Sequence, residues 1–172
     1  MRIEAIEPGT RSALAELEQQ IKAERGRISP LYQVLLHSPA IAKGWEQMLS
    51  AVRNYSSIDA GLRELIILRV AMLNQAAYEF EAHVPHALKA GVTQAAIDAT
   101  RDTGTTASPA WDGLQQLAIA VTDALTRDLQ VPEPLFAQVA ARFNAQEQVE
   151  LFATIGAYNM VSRFLNAFEI GH

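Results

Sequence analysis

Apolar residues recur along this chain at three- and four-residue steps, the spacing that gathers them on one face of a helix. The first such run extends from Arg11 to Glu24 and meets Gly26, a residue suited to the left-handed turn that ends helices. After Pro30, "LYQVLLH" reads as a short helix. Ser38 and Pro39 read as N-cap and first helical position, opening a helix to about Arg53. Ser56 with Asp59 makes a capping-box pattern ahead of "AGLRELIILRVAMLN". Gly91 stops the helix that follows, and Thr93 caps a short one to about Arg101. "GTTASPA" is the loosest segment, after which Ser108–Pro109 restarts the chain in a helix to Arg127. "VPEP" leads into a helix from Glu133 to Phe143, and Asn144 with Glu147 caps a last one to about Phe168. No strand pattern, low-complexity tract or repeat of about 20–50 residues interrupts this reading. The expected fold is an all-α helical bundle forming one domain over residues 1–172.

The pattern cannot run unbroken through its centre. Residues 58–90 as one rod would reach about 50 Å at 1.5 Å per residue, too long for a domain of this size. Asn74 is the predicted break, its side chain capping a new helix start. Pro85 then falls inside the second segment, where it should kink the helix or shift its hydrogen bonds. Such a corner lets Glu64 on the first segment face residues on the second.

Composition narrows the chemistry. The chain has no cysteine, which excludes disulfides, thiolate-bound zinc, iron–sulfur clusters and a cysteine nucleophile, and fits a reducing compartment. A chain of 172 residues buries about 70% of its unfolded surface and needs no such staples. Fourteen basic against 19 acidic residues leave a formal charge of −5 with no basic stripe, so no nucleic-acid partner is expected. The start, "MRIEAIEPGTRSALAEL", carries charges where a signal peptide has its apolar core. Apolar runs such as Leu65 to Leu68 fall far short of the roughly 20 residues that span a bilayer. A cytoplasmic protein with no membrane partner is the expectation.

The stretch "NQAAYEFEAHVPHALKAGV" places Glu79, His83 and His86 at i, i+4 and i+7, on one helix face. That face is an acid–base site, a metal site or a polar helix edge. A catalytic zinc takes three protein ligands and a water, but Pro85 interrupts regular geometry between the histidines. There is no phosphate loop, G-x-S-x-G elbow or dinucleotide fingerprint, so no cofactor is expected.

The run from Glu64 to His83, "ELIILRVAMLNQAAYEFEAH", resembles the carboxymuconolactone decarboxylase and alkylhydroperoxidase D superfamily. The likeness extends through "LLHSPAIAKGWEQML", "AHVPHALKAGVT" and the tail "GAYNMVSRFLNA". It implies an all-α fold that assembles as trimers or hexamers with the site near subunit contacts, and the alanine- and leucine-rich helix faces add a dimer to the homo-oligomers expected. The peroxidase branch of that superfamily carries a glutamate, a Cys-x-x-Cys pair and a histidine. Here the glutamate is Glu64 and the histidine His83, while Ala76 and Glu79 stand where the cysteines would be. Neither can attack a peroxide, so the resemblance points to the decarboxylase branch, which does not require the pair.

The catalytic candidates are therefore His83, Glu64 and Glu79. His83 suits proton transfer near neutral pH and is assigned the proton delivered to carbon; its alternative is a structural histidine bonded to a carboxylate. Glu64 orients and stabilises that imidazole, or forms a structural ion pair with Arg63 or Arg69. Glu79 is a second proton donor if buried, or a solvated helix residue. Tyr78, Arg163 and His86 are candidate substrate-binding residues, Arg163 as a clamp on a carboxylate or as a structural salt bridge. The partner expected is a small organic acid. A non-catalytic acid-binding oligomer and a metal-dependent hydrolase are the alternatives.

Overall fold

Helix α4 (Ala60–Leu73) is buried from Leu62 to Ala71 except at half-buried Arg63, and the rest of the fold is built around it. A helix apolar on every side has no solvent face to offer and must be enclosed. The computed structural model describes residues 1–171, and among them the backbone forms nine α-helices and no strand. Before α4 come α1 (Ala15–Arg25), α2 (Pro30–Leu35) and α3 (Pro39–Asn54). After it come α5 (Ala77–Lys89), α6 (Gln94–Ala99) and α7 (Gly113–Asp123), the last continuing as a π-helical turn over Ala124–Asp128. The short α8 (Glu133–Arg142) leads into the long α9 (Ala145–Phe168).

Helices α5, α7 and α9 make the main packing on α4. One face of α4 puts Leu62, Ile66, Ile67 and Val70 into a larger core shared with α1–α3 and α9. The other puts Leu65, Leu68 and Ala71 into a smaller core with Phe80, Ile97, Trp111 and Ile119. The all-α expectation holds. Among the described residues, no helix is long and apolar enough to cross a membrane.

Several predicted boundaries are realised by the expected chemistry. Gly26 sits at φ +74 and gives its N–H to the Lys22 carbonyl, ending α1. Thr93 caps α6, and the Asn144–Glu147 capping box opens α9. Others differ. Asp59 itself caps α4, its Oδ1 accepting the Leu62 N–H at 2.9 Å, while Ser56 bonds Ile58 and Glu150. Helix α7 starts at Gly113 rather than at Ser108–Pro109, because the Asp112 carboxylate takes two amide protons and Gln115 completes its box. Pro85 lies on the exposed side of α5, which continues through it; water can satisfy the carbonyl that the ring leaves free.

The break comes where predicted, by a different device. Asn74 is the C-cap of α4, Gln75 turns the chain with φ +56, and α5 begins without a side-chain cap. The Asn74 amide instead donates to Asn159 at 2.9 Å and Ser162 at 2.7 Å on α9. Its carbonyl accepts from Asn166 at 2.6 Å. The corner is thus clamped to α9 at both ends of one residue.

Arg69 is fully buried and does not pair with Glu64, which lies on another side of α4. Its Nε and Nη2 donate to the two Asp123 oxygens at 2.6 and 2.7 Å. The remaining protons go to the carbonyls of Thr100, Asp102 and Thr105. All five guanidinium donors are used, tying α4 to the end of α7 and to the loop after α6. Arg69→Ala should therefore cost about 3–5 kcal/mol by stranding a buried carboxylate. Exposed Arg127, 3.5 Å from Asp123, should cost under about 1 kcal/mol on truncation. Urea denaturation of the two variants measures the contrast, and equal losses would refute it.

Candidate active site

The corner at Asn74 turns α5 back over α4, so that Glu64 and His83 meet: Nδ1 and Oε2 are 2.7 Å apart. Both side chains are buried, Glu64 at 5% and His83 at 7% exposure. Burial by itself would raise the Glu64 carboxyl, but the hydrogen bond and charge of His83 outweigh it and the net direction is downward. Burial also dominates at His83 and lowers its pKa despite the carboxylate beside it. Glu64 is thus ionised and accepts only, so Nδ1 carries the proton. Nε2 is left as an unprotonated nitrogen with no hydrogen bond among the described residues.

Around the imidazole stand two more rings. Tyr158 meets it edge-on with centroids 5.2 Å apart, and His86 lies 5.6 Å away. The Tyr158 hydroxyl is buried without a partner, and burial raises its pKa. His86 is exposed, and its pKa is lowered by partial desolvation and then by Arg53.

Glu79 is the anomaly of the site. It is 3% exposed, and neither carboxyl oxygen has a hydrogen-bond partner among the described residues. Desolvation pushes its pKa well above the usual carboxylate range. An ionised group there would be both buried and unpaired, so the neutral acid is the resting form.

These groups border one cavity of about 330 Å³, walled by α1–α3, α5 and α9. Glu79, His83, His86 and Tyr78 line it, as do Tyr32, Trp45 and Tyr158, with Arg25 and Arg53. A second cavity, about 310 Å³, is lined by Glu64, Arg53, Arg63, His86 and Lys89. The two share Arg53, Asn54 and His86, with the Glu64–His83 pair between them. Among the described residues, no three His, Asp or Glu side chains are placed to share a metal ion.

Five of the six candidates, Glu64, Glu79, His83, His86 and Tyr78, line one or both cavities. Arg163 does not. It is exposed on α9, and its guanidinium bonds the Asn159 carbonyl and side chain one turn earlier. Arg25 and Arg53 supply the cations instead. Both stand in the last turn of a helix, where basic residues are commonplace, so nothing in the sequence marks them. Tyr158 and Trp45 were equally hidden among core aromatics. Burial lowers the His83 pKa and raises that of Glu79, so the two shifts favour Glu79 over His83 as the holder of a proton.

The model of the carboxymuconolactone decarboxylase family matches residues 39–124, which include the α4–α5 corner, Glu64, Glu79 and His83. The chain belongs to this family. A search among curated proteins finds no match to this decarboxylase-family chain. Solved structures share its fold. A cysteine-to-alanine variant of the debrominase Bmp8, in complex with 2,3,4-tribromopyrrole, superposes with a TM-score of 0.80 at 14% identity, covering 98% of this chain and 90% of that one. A peroxidase-related protein from Silicibacter sp. TM1040 has a TM-score of 0.80 at 15% identity, covering 98% and 88%. A protein from Agrobacterium tumefaciens, described as a putative antioxidant defence protein AhpD, has a TM-score of 0.72 at 23% identity, covering 79% and 92%. At these identities the likeness establishes the fold. This family member has no cysteine.

The charge states predict how stability varies with pH. The raised Glu79 pKa means the folded state holds a proton that the unfolded chain releases above about pH 4.5. Its contribution is therefore lost as pH rises towards the folded pKa. Glu79→Gln should equal the parent in stability near pH 4 and exceed it at pH 8. Urea midpoints at the two pH values test this, and a Gln variant no more stable at pH 8 would show that Glu79 is ionised.

Proposed function

We propose that this decarboxylase-family chain is a cofactor-free acid–base enzyme acting on a small organic acid, with loss of carbon dioxide from an unsaturated lactone carboxylate as its reaction. The observation that carries the reading is one cavity bordered by a buried carboxyl without a hydrogen-bond partner among the described residues, Glu79, and an imidazole held by Glu64. Two carboxyl groups of one type are driven apart by environment, the signature of a divided acid–base role.

Breaking the carboxylate–carbon bond leaves its electron pair on carbon, and a conjugated lactone carbonyl delocalises that pair as a dienolate. Glu79 then delivers its proton to carbon and is left as a carboxylate. That buried anion is unfavourable, so it regains a proton from solvent, with His83 Nε2 and exposed His86 carrying it inward. Glu64 stabilises the imidazolium formed in passing, which a lone buried histidine would resist. One carbon dioxide leaves and one solvent proton ends on carbon. Without a thiol, reduction of a hydroperoxide has no electron source among these residues.

Turnover of unsaturated lactone carboxylates in deuterated water tests the reading: one carbon-bound deuterium should appear per carbon dioxide released. Carbon dioxide at the level of heat-killed protein would sink it. His83→Gln, which still offers Glu64 a donor, should stay folded and lose about 10²–10⁴-fold in rate. His86→Ala should be milder. If His83→Gln lowers the melting temperature but not the rate per folded molecule, the histidine is structural. Dithiol-dependent reduction of hydroperoxides should not exceed a heat-killed control.

A further inference from the structure

The cavity carries a second polar assembly that the proposed reaction does not use. Arg25, the last residue of α1, gives its Nε–H to both Glu46 oxygens, at 3.1 and 3.0 Å. Glu46, buried on α3, also accepts from the hydroxyls of Tyr32 and of Ser50, the latter at 2.5 Å. The guanidinium carbon lies 5.8 Å from the Tyr32 ring centroid. Carboxylate and ring hold the group in one orientation with its side chain 11% exposed, yet Nη2 is buried without a partner among the described residues.

A charged donor left without an acceptor is costly, and native proteins keep few of them. Here it does not stand alone. The indole N–H of Trp45 and the hydroxyl of Tyr158 are also buried and unpartnered, and all three side chains border the same cavity. Arg25 shares its charge with Glu46, but half-buried Arg53 on the same wall has no ion-pair partner among the described residues. The wall therefore carries buried donors without acceptors among the described residues, and the charge of Arg53, which ionised Glu64 feels but does not directly pair with, between aromatic faces.

We propose that Arg25 is the carboxylate-binding residue of this cavity, aligned by Glu46, and that its ligand is a small flat acid. The acid's carboxylate accepts from the guanidinium nitrogens that Glu46 does not engage, and its body lies among Trp45, Tyr32 and Tyr158. Glu46, Tyr32 and Ser50 are positioning residues: they fix the guanidinium plane so that a planar carboxylate meets it in one pose. This rests on the reading that the cavity takes a small organic acid, and it names the residue that selects acid over neutral analogue.

The test is calorimetric titration of the full chain with 2-furoate, benzoate and sorbate, each beside its neutral amide. The ratio of acid to amide affinity is a readout that a purely structural arginine would not move. The parent should prefer the acids. Arg25→Gln should reduce that preference about 10- to 100-fold, the worth of a charge-assisted hydrogen bond, with amide binding unchanged. Because that variant strands the Glu46 carboxylate, Arg25→Gln/Glu46→Gln is measured as well and should show the same loss. Arg163→Gln, on the exposed face of α9, should bind as the parent does. Acid preference retained in both Arg25 variants, or lost only in Arg53→Gln, overturns the Arg25 assignment while the small-acid reading stands. A parent protein that binds none of the acids overturns both.

Discussion

A helix that is apolar all round must be enclosed, and enclosing α4 is the constraint from which the rest of this structure follows. Three long neighbours are needed to cover it, and α5 can be one of them only if the chain reverses immediately after Leu73. Gln75 supplies the left-handed turn, at a modest conformational cost for a non-glycine residue. The Asn74 bonds to Asn159, Ser162 and Asn166 offset that cost and lock α9 against the same corner. The turn that completes the core also lays His83 on Glu64. Packing and site are consequences of one chain reversal.

Burial then divides the carboxylates by what each finds nearby. Glu64 meets an imidazole and stays ionised; Glu46 meets Arg25, Tyr32 and Ser50; Asp123 meets Arg69. Glu79 has no hydrogen-bond partner among the described residues, and desolvation pushes its carboxyl well above the usual range. The same side chain is pushed towards the anion at one position and towards the neutral acid on the next helix, because the outcome of desolvation is decided by partners rather than by residue type. The Arg69–Asp123 pair shows the stabilising use of this rule, with every donor satisfied. Glu79, Tyr158, Trp45 and Arg25 show the other case, buried polar atoms without a partner among the described residues, on side chains that border a cavity. Such groups raise the cost of folding and lower the cost of binding a ligand that answers them.

The sequence by itself determined what depends on local periodicity and local hydrogen bonding. Helical spacing dictated the all-α class, and the Asn144–Glu147 box, Thr93 and Gly26 set helix ends within a few residues of the chain. The length of the apolar run demanded a break, and the i, i+4 step placed Glu79 and His83 on one face. The likeness of the Glu64-to-His83 run to its family supplied the pairing of those two residues. The absence of cysteine removed thiol chemistry without any structure. Only the tertiary fold decided how the break is made, through bonds from Asn74 to residues 85 to 92 positions later. Only the fold moved Arg163 away from the cavity and brought Arg25 and Arg53 to it, since helix-end arginines look alike until their helices are packed. The protonation states of Glu79 and His83 belong to the fold as well. A pKa records the solvent and charges that surround a group, and in this chain those come from α1, α3 and α9 as much as from the helix that bears it.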